Sequence, residues 1–276
     1  MTLPHDFQFS QGSLQDYLVC PLRFYLRHVR RLAWPAIVAE PAVEHERHLL
    51  QGSDFHHLIH QHEVGISAEQ LIAVIADENL TRWWLNYLER GPGDIPEVHY
   101  SEIVLSAPVG GHRLVAKYDL LAVDPGKRAI ILDWKTYRRR PGRKWLEERV
   151  QTRLYPYVLV RAGSDLNEGR PIEPARAEMA YWFADFPDDP ESFRYDEHRY
   201  RENEIYLSSL IDEIEGLPED QFDRTADQER CRLCRYRSLC QRGVRAGDFR
   251  EAEEERQAEE ELEIFLDFDQ IAEIEY

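Results

Sequence analysis

The stretch at residues 130–135, Ile-Ile-Leu-Asp-Trp-Lys, constrains the fold more than any other part of the chain. Three apolar residues that lead into two charged ones predict a buried strand whose end emerges at the rim of a sheet. Side chains alternate along a strand, so Asp133 and Lys135 share one face and Trp134 points to the other. Most Asp-x-Lys pairs are ordinary strand ends, but such a pair also suits divalent-metal binding beside a reacting phosphate.

The neighbouring segments place this strand in a mixed α/β protein. Residues 98–109 and 112–123 alternate in polarity around Gly110 and Gly111, which predicts a hairpin, and a turn at 124–127 leads into the strand 128–135. Helical spacing predicts helices that begin at a Ser13 capping box and that span 48–62, 68–90, 144–162 and 200–215. Further strands are predicted near 176–185 and 193–197.

Composition narrows the functional class. The formal net charge of −18 argues against a protein that coats nucleic acid unspecifically. A cleft can still focus a local positive field, and a basic patch follows the central strand: Arg138, Arg139, Arg140, Arg143 and Lys144. Hydrophobic content of 43%, together with the lack of a signal-peptide pattern and of an apolar run of ~20 residues, predicts a soluble, cytoplasmic protein.

The four cysteines indicate a bound metal or cluster. Cys20 stands alone before a proline, whereas Cys231, Cys234 and Cys240 form a C-x2-C-x5-C pattern. In a reducing cytoplasm this spacing favours metal or cluster ligation over disulfides.

These patterns together resemble the PD-(D/E)XK nuclease superfamily, and specifically its RecB-like exonuclease branch. The matching patterns are Gly52-x3-His56, Asp119 after a short strand, Asp133-Trp134-Lys135-Thr136 and Gln151-x3-Tyr155. The stretch Leu14-x2-Tyr17-x2-Cys20-Pro21-x2-Phe24, with the three later cysteines, is similar to the iron–sulfur members. Those members include the AddB-type helicase-nuclease subunit and the small exonucleases of CRISPR adaptation. The resemblance covers about residues 10–242.

The resemblance implies a restriction-endonuclease-like α/β core with a mixed central sheet in the order αβββαβ, flanked by helices. An iron–sulfur clip would join the N- and C-terminal segments. The implied divisions are an N-terminal helical segment at 1–47, a nuclease core at 48–218, a three-cysteine segment at 219–247 and an acidic tail at 248–276.

The resemblance also implies roles for individual residues. His56, Asp119 and Asp133, with the Trp134 carbonyl, would hold Mg²⁺ or Mn²⁺, and Lys135 would serve the attacking water or the transition state. Gln151 and Tyr155 would position the DNA and the catalytic groups. Glu102 is a further candidate for support of the metal site, and the basic patch would bind DNA. One departure from the family pattern is Ala116, where members often have glycine.

For the cysteines the resemblance implies a 4Fe–4S cluster on Cys20, Cys231, Cys234 and Cys240. Such a cluster would close a very long loop across the nuclease core. The spacing alone leaves a structural Zn²⁺ on the same four thiolates as the alternative.

The leading hypothesis is a metal-dependent DNA exonuclease that acts on single-stranded ends or flaps in repair, recombination or phage- and CRISPR-related processing. A catalytically silent iron–sulfur subunit that binds DNA ends in a helicase-nuclease complex is the alternative. A histidine-rich metal-binding or redox protein built on His56 and His60 is a third. Because the sequence contains no Walker motif, unwinding would require a helicase partner, and a CRISPR-adaptation partner is also considered.

The end of the chain carries its own hypothesis. Residues 248–276 contain 13 acidic and 2 basic side chains. Such a tethered anionic segment is predicted to compete with DNA for the basic patch, and the alternative is a solvated or partner-docking tail.

Overall fold

The computed structural model describes residues 3–4, 7–32, 40–231 and 234–240, apart from the side chains of 40–46 and 49. The acidic tail at 248–276, together with the last part of the three-cysteine segment at 241–247, lies outside the described residues. Within the described ranges, no helix is both long enough and apolar enough to cross a membrane.

The centre of the molecule is a six-stranded mixed sheet. Its strands are β1 (Gln8–Ser10), β2 (Val98–Val109), β3 (His112–Asp124), β4 (Arg128–Lys135), β5 (Ala177–Phe183) and β6 (Glu191–Arg194). Strand β3 pairs with β2 along one edge, and its other edge is shared by β1 and β4. The β1–β3 and β4–β5 pairs are parallel, and the remaining pairs are antiparallel. The predicted mixed α/β architecture is therefore confirmed.

Helices cover both faces of this sheet. They are α1 (Gln11–Val19), α2 (Pro21–Phe24) with a π-helical turn (Tyr25–Val29), α3 (Glu40–Glu63), α4 (Ala68–Ile72), α5 (Glu78–Arg90), α6 (Arg143–Glu148), α7 (Val150–Ala162), α8 (Glu197–Gly216) and α9 (Arg237–Cys240). Side chains of α1, α7 and α8 form one hydrophobic core against the sheet. A second core under α3, α4 and α5 is rich in aromatic residues: Phe55, Trp83, Trp84, Trp134 and Trp182.

Several predicted helix boundaries are wrong. Helices α3 and α8 begin at Glu40 and Glu197, before the predicted starts at residues 48 and 200. Three further errors each have a local reason. The first helix is capped by Ser10, whose hydroxyl accepts from the Ser13 amide at 3.2 Å, so the predicted cap residue lies inside the first turn. The predicted helix 68–90 is two helices, because Asp77 caps a new one through the amides of Asn79 and Leu80. The predicted helix 144–162 breaks at Arg149, which is extended.

The polarity alternation of the central hairpin changes phase at one point. In β3, Leu114, Ala116 and Tyr118 contribute to the first core, but further along the odd-numbered Leu121 and Val123 do so. On β2 the corresponding irregularity is at Glu102, whose φ of +58° is left-handed. The regular alternation predicted for 98–123 is therefore interrupted where Glu102 faces Asp119.

A fork between β3 and β4 lies at the same level. Their pairing reaches from Asp124–Arg128 only as far as Leu120–Leu132. Beyond that point β4 remains paired with β5 up to Lys135. The carboxylates Asp119 and Asp133 are thus the first residues on either side of the opening.

Candidate active site

Helix α3 brings a buried imidazole to the β3 side of the fork. His56 is 5% exposed, and its Nδ1 lies 3.3 Å from Oδ1 of Asp119. The other oxygen of Asp119 accepts a 2.9 Å hydrogen bond from the backbone amide of Trp134, which ties β3 to β4 across the opening. Burial is the largest single effect and acts to raise the pKa of Asp119, but the His56 imidazole, the Lys135 ammonium and the Trp134 amide together outweigh burial and lower this pKa. Asp119 is therefore held as a carboxylate.

Asp133 is the opposing carboxylate on β4, and both of its oxygens are engaged. Oδ1 accepts a hydrogen bond from Nε2 of Gln151 on α7, and Oδ2 lies 2.9 Å from Nζ of Lys135. Burial raises the pKa of Asp133 to about 7, despite the opposing effect of Lys135 and with a further rise from Asp119. A divalent cation at this position would favour the ionised form, so metal uptake would be coupled to the loss of the Asp133 proton.

The ammonium of Lys135 is enclosed by two tyrosines that the sequence did not single out. Nζ lies 5.8 Å from the ring centroid of Tyr137 and 6.0 Å from that of Tyr181. Tyr137 lies two residues beyond the end of β4 at Lys135, where strand periodicity no longer applies, so the sequence did not place its ring beside the ammonium. The position of Tyr181 beside the site follows only from the strand register, which pairs Tyr181 on β5 with Asp133 on β4.

Glu102 joins the β3 side of the site. One oxygen of Glu102, one of Asp119 and a ring nitrogen of His56 lie within 4.8 Å of one another. One imidazole and two carboxylates suit Mg²⁺ or Mn²⁺. Glu102 also forms an ion pair with Lys117. Among the described residues, Glu102 thus completes a three-ligand group with His56 and Asp119, and this group does not include Asp133.

The two predicted α7 residues occupy different surroundings. Gln151 reaches Asp133 directly, as described above. Tyr155 is 4% exposed, its ring centroid is 5.0 Å from that of Tyr118, and its backbone oxygen accepts from the Tyr118 hydroxyl at 2.9 Å. This burial favours a role for Tyr155 in holding α7 against β3 over direct contact of its side chain with DNA.

His60 points to a different partner from His56. Its Nδ1 lies 2.9 Å from the hydroxyl of Ser101, which donates at 3.3 Å to the backbone oxygen of Asp119. His60 therefore supports the hairpin, and the hypothesis of a metal site made by His56 and His60 receives no support from this geometry.

Helix α3 approaches the end of β4 closely because residue 52 is glycine. A ring nitrogen of His48 lies 3.0 Å from the backbone oxygen of Thr136, and a Cβ added at Gly52 would lie 3.0 Å from the Thr136 hydroxyl oxygen. Thr136 is 2% exposed, so it has little room to move. The glycine therefore sets the distance between the helix that carries His56 and the strand that carries Asp133.

Replacing Gly52 by alanine should displace α3 and impair the site. We expect a loss of about 1–3 kcal/mol in the free energy of unfolding from overpacking and roughly a 10-fold loss of any metal-dependent activity from the misplaced imidazole. Chemical denaturation and initial rates measure the two effects. Gly52→Ala combined with Thr136→Ala, which removes the obstructing hydroxyl, should recover part of both; unchanged rates in the single variant would contradict this role.

The four cysteines line a single pocket, although Cys20 is distant in sequence from the others. Each is half-buried, and the sulfur of Cys20 accepts from the Thr225 amide at 3.4 Å. Burial raises the pKa of Cys234 to about 11, and the nearby thiols of Cys20 and Cys240 add to the rise. Four arginines share the lining: Arg23, Arg224, Arg230 and Arg237. The pocket thus combines thiol donors with positive charge suited to an anionic thiolate complex.

The five residues of the predicted basic patch do not all have the same surroundings in the structure. Arg140 and Arg143 both form ion pairs with Glu191, and their guanidinium carbons lie 4.6 Å and 4.5 Å from the ring centroids of Phe183 and Phe193. They anchor the segment after β4 to the β5–β6 hairpin. The exposed members of the patch are Arg138, Arg139, Arg143 and Lys144.

Comparison with known protein families identifies the chain's relatives. The model of the PD-(D/E)XK nuclease superfamily matches residues 8–241, which include the fork, α7 and the four cysteines. The chain belongs to the PD-(D/E)XK nuclease superfamily. No curated protein matches this sequence.

Two solved structures are similar to the chain over most of its length. A provisionally assigned exonuclease from Eubacterium rectale is 12% identical, with a TM-score of 0.52 over 83% of this chain and 86% of the other. The protein SSO0001 is 12% identical, with a TM-score of 0.39 over 85% of each chain. At this identity the first similarity shows the fold alone.

Proposed function

We propose that this PD-(D/E)XK nuclease is a metal-dependent DNA exonuclease that acts on single-stranded ends or flaps. The observation that carries the proposal is the buried fork between β3 and β4. Here His56 contacts Asp119, and Asp133 contacts Lys135 and Gln151. A strand end without chemistry has no need to bury two carboxylates, a lysine and an imidazole so close together, because each desolvated charge costs several kcal/mol.

His56, Asp119 and Asp133, with the carbonyl of Trp134, would hold Mg²⁺ or Mn²⁺. The metal would lower the pKa of a bound water and neutralise charge on the scissile phosphate. Lys135 would orient the water or stabilise the added charge of the transition state with its ammonium. Gln151 fixes the orientation of Asp133 through its side-chain amide.

Glu102 is proposed to support this metal site. Replacing Glu102 by glutamine keeps its size and removes its charge, so we expect metal affinity and cleavage rate to fall about 10-fold, as is typical when a supporting carboxylate is lost. Metal titration of the initial rate measures both. Lys117→Met, which breaks the ion pair but keeps the carboxylate, is the control and should lose less. Equal effects of the two variants would show that Glu102 serves only its pairing with Lys117.

The cysteine pocket is proposed to hold a 4Fe–4S cluster. Four cysteine thiols and four arginine side chains line the same pocket, and this positive lining supports a thiolate complex of net negative charge. A structural Zn²⁺ on the same four thiolates is the alternative, which the iron and zinc content of the purified protein decides.

The cluster would complete an existing connection between the two ends of the described chain. The Leu22 amide donates to the Asp223 backbone oxygen at 3.1 Å, and the Tyr236 hydroxyl donates to the Leu32 backbone oxygen at 3.0 Å. These contacts support an iron–sulfur clip that joins the segments 1–47 and 219–247 across the nuclease core 48–218. In this respect the chain is proposed to belong to the iron–sulfur, RecB-like branch.

The test of the proposed function is cleavage of end-labelled single- and double-stranded DNA by the purified full chain in Mg²⁺, Mn²⁺ or EDTA. We expect metal-dependent release of short products, faster from single strands. DNA binding without cleavage in either metal would instead support the silent end-binding subunit, and cleavage that persists in EDTA would contradict the metal site.

A further inference from the structure

An aromatic surface extends from Lys135 toward solvent and is not explained by the metal chemistry. From Lys135 it continues through Tyr137 to Trp145 on α6, whose ring centroid is 6.3 Å from that of Tyr137 at an interplanar angle of 82°. The guanidinium carbon of Arg149 lies 4.7 Å from the centroid of the Trp145 ring. We call Trp145 and Arg149 the stacking pair.

The local backbone places the stacking pair at the surface. Helix α6 ends at Glu148, and the extended conformation of Arg149 (φ −66°, ψ 143°) separates α6 from α7. Trp145 and Arg149 are both half-buried, whereas Tyr137 beneath them is 5% exposed. The exposed Arg138 and Arg139 directly follow Tyr137 in the chain. The surface therefore brings together a half-buried indole that packs against the first core, a guanidinium stacked on that indole and nearby positive charge.

This combination matches the chemistry that binds unpaired nucleotides. Aromatic rings and arginine guanidinium groups stack on the faces of bases, while neighbouring cations attract the phosphates. In a duplex both faces of an internal base are covered by adjacent base pairs, so only an unpaired base can use such a surface.

We propose that Trp145 and Arg149 stack an unpaired base of the DNA strand whose phosphate lies at Lys135, and that this contact makes the enzyme prefer single-stranded ends. This inference rests on the proposed nuclease function. It assigns the substrate preference to a surface that is separate from the metal ligands.

The test measures binding of a fluorescent oligo-dT and of a blunt hairpin duplex to the full chain in EDTA, so that no cleavage occurs. Trp145→Ala should weaken single-strand binding about 10-fold and leave duplex binding unchanged. Trp145→Phe should retain most of the affinity, because it keeps an aromatic face. Lys144→Ala is the charge control on the same helix: it removes a cation of the basic patch that is 89% exposed but no stacking surface, so it should weaken single-strand and duplex binding alike.

Abasic oligonucleotides remove the bases from the DNA and so test base stacking in the wild-type protein as well. Wild type should bind an oligonucleotide without bases as weakly as Trp145→Ala does, and Arg149→Ala should lose affinity only for the strand with bases. Circular dichroism and thermal melting verify that the variants are folded.

Two results would contradict the proposal that the stacking pair binds a base. One is equal wild-type affinity for abasic and normal strands, and the other is an equal loss of single-strand and duplex binding in Trp145→Ala. If wild type cleaves DNA but Trp145→Ala binds single strands normally, only this inference fails. If wild type neither binds nor cleaves DNA, the proposed function fails with it.

Discussion

Replacing Lys135 by methionine should lower the cleavage rate about 100- to 1000-fold, the range found when a positioned transition-state donor is removed. Methionine preserves the apolar stem between the rings of Tyr137 and Tyr181 and removes only the ammonium that lies 2.9 Å from Asp133. The fold should survive, because burial already raises the pKa of Asp133 to about 7 and its carboxyl can take up a proton when Lys135 is lost. Single-turnover rates on a labelled single strand measure the loss.

The matched control is Lys127→Met, the same substitution at a lysine that is 74% exposed in the turn between β3 and β4. It should leave the rate unchanged. A folded Lys135→Met protein with near wild-type cleavage would show that Lys135 takes no part in the reaction. Asp133→Asn should be as inactive as Lys135→Met while its side-chain oxygen can still accept the hydrogen bond from Gln151.

Replacing Cys20 by serine should remove the proposed cluster as completely as replacing Cys234. We expect the wild-type protein, purified without oxygen, to be brown, with broad absorbance near ~400 nm and about four irons per chain. Cys20→Ser should lose the colour and the iron and should melt at a lower temperature, because the ligand that closes the long loop is gone. Metal analysis, absorbance and thermal melting measure these changes.

Tyr236→Phe distinguishes the contribution of the cluster from that of the other contacts between the N- and C-terminal segments. It removes the hydrogen bond to the Leu32 backbone oxygen and leaves all four cysteines in place. We therefore expect full iron content and a stability loss of about 1 kcal/mol. Wild-type protein with one zinc and no iron, or Cys20→Ser protein that retains its iron, would contradict the cluster assignment.

Elements with a strong local signal were predictable from the sequence. The apolar run and the turn at 124–127 located β4 at its observed bounds, Arg128–Lys135, and the Gly110-Gly111 pair located the hairpin. Errors arose where a single side chain or dihedral angle overrides periodicity. Asp77 caps a helix inside a longer helical pattern, and the left-handed φ of Glu102 changes the face of the residues that follow.

The sequence predicted those site residues that belong to motifs in a recognisable order along the chain. The order of His56, Asp119, Asp133 and Gln151 along the chain suggested residues that the fold brings to one fork. Contacts between residues far apart in sequence left no such signal. The pairing of Arg140 and Arg143 with Glu191 depends on the β5–β6 hairpin, so the sequence assigned all five basic residues to DNA alike.

The most direct test of the central claim is a calorimetric titration of Mn²⁺ into wild type and into Asp119→Asn, side by side and without DNA. Asparagine keeps the size of the side chain but removes the charge that faces His56. We expect about one Mn²⁺ per nuclease site in wild type and at least a 10-fold weaker affinity in the variant, as expected when a ligand carboxylate is neutralised. Equal Mn²⁺ affinity in the two proteins, or no binding to wild type, would contradict the proposal that His56, Asp119 and Asp133 hold the catalytic metal.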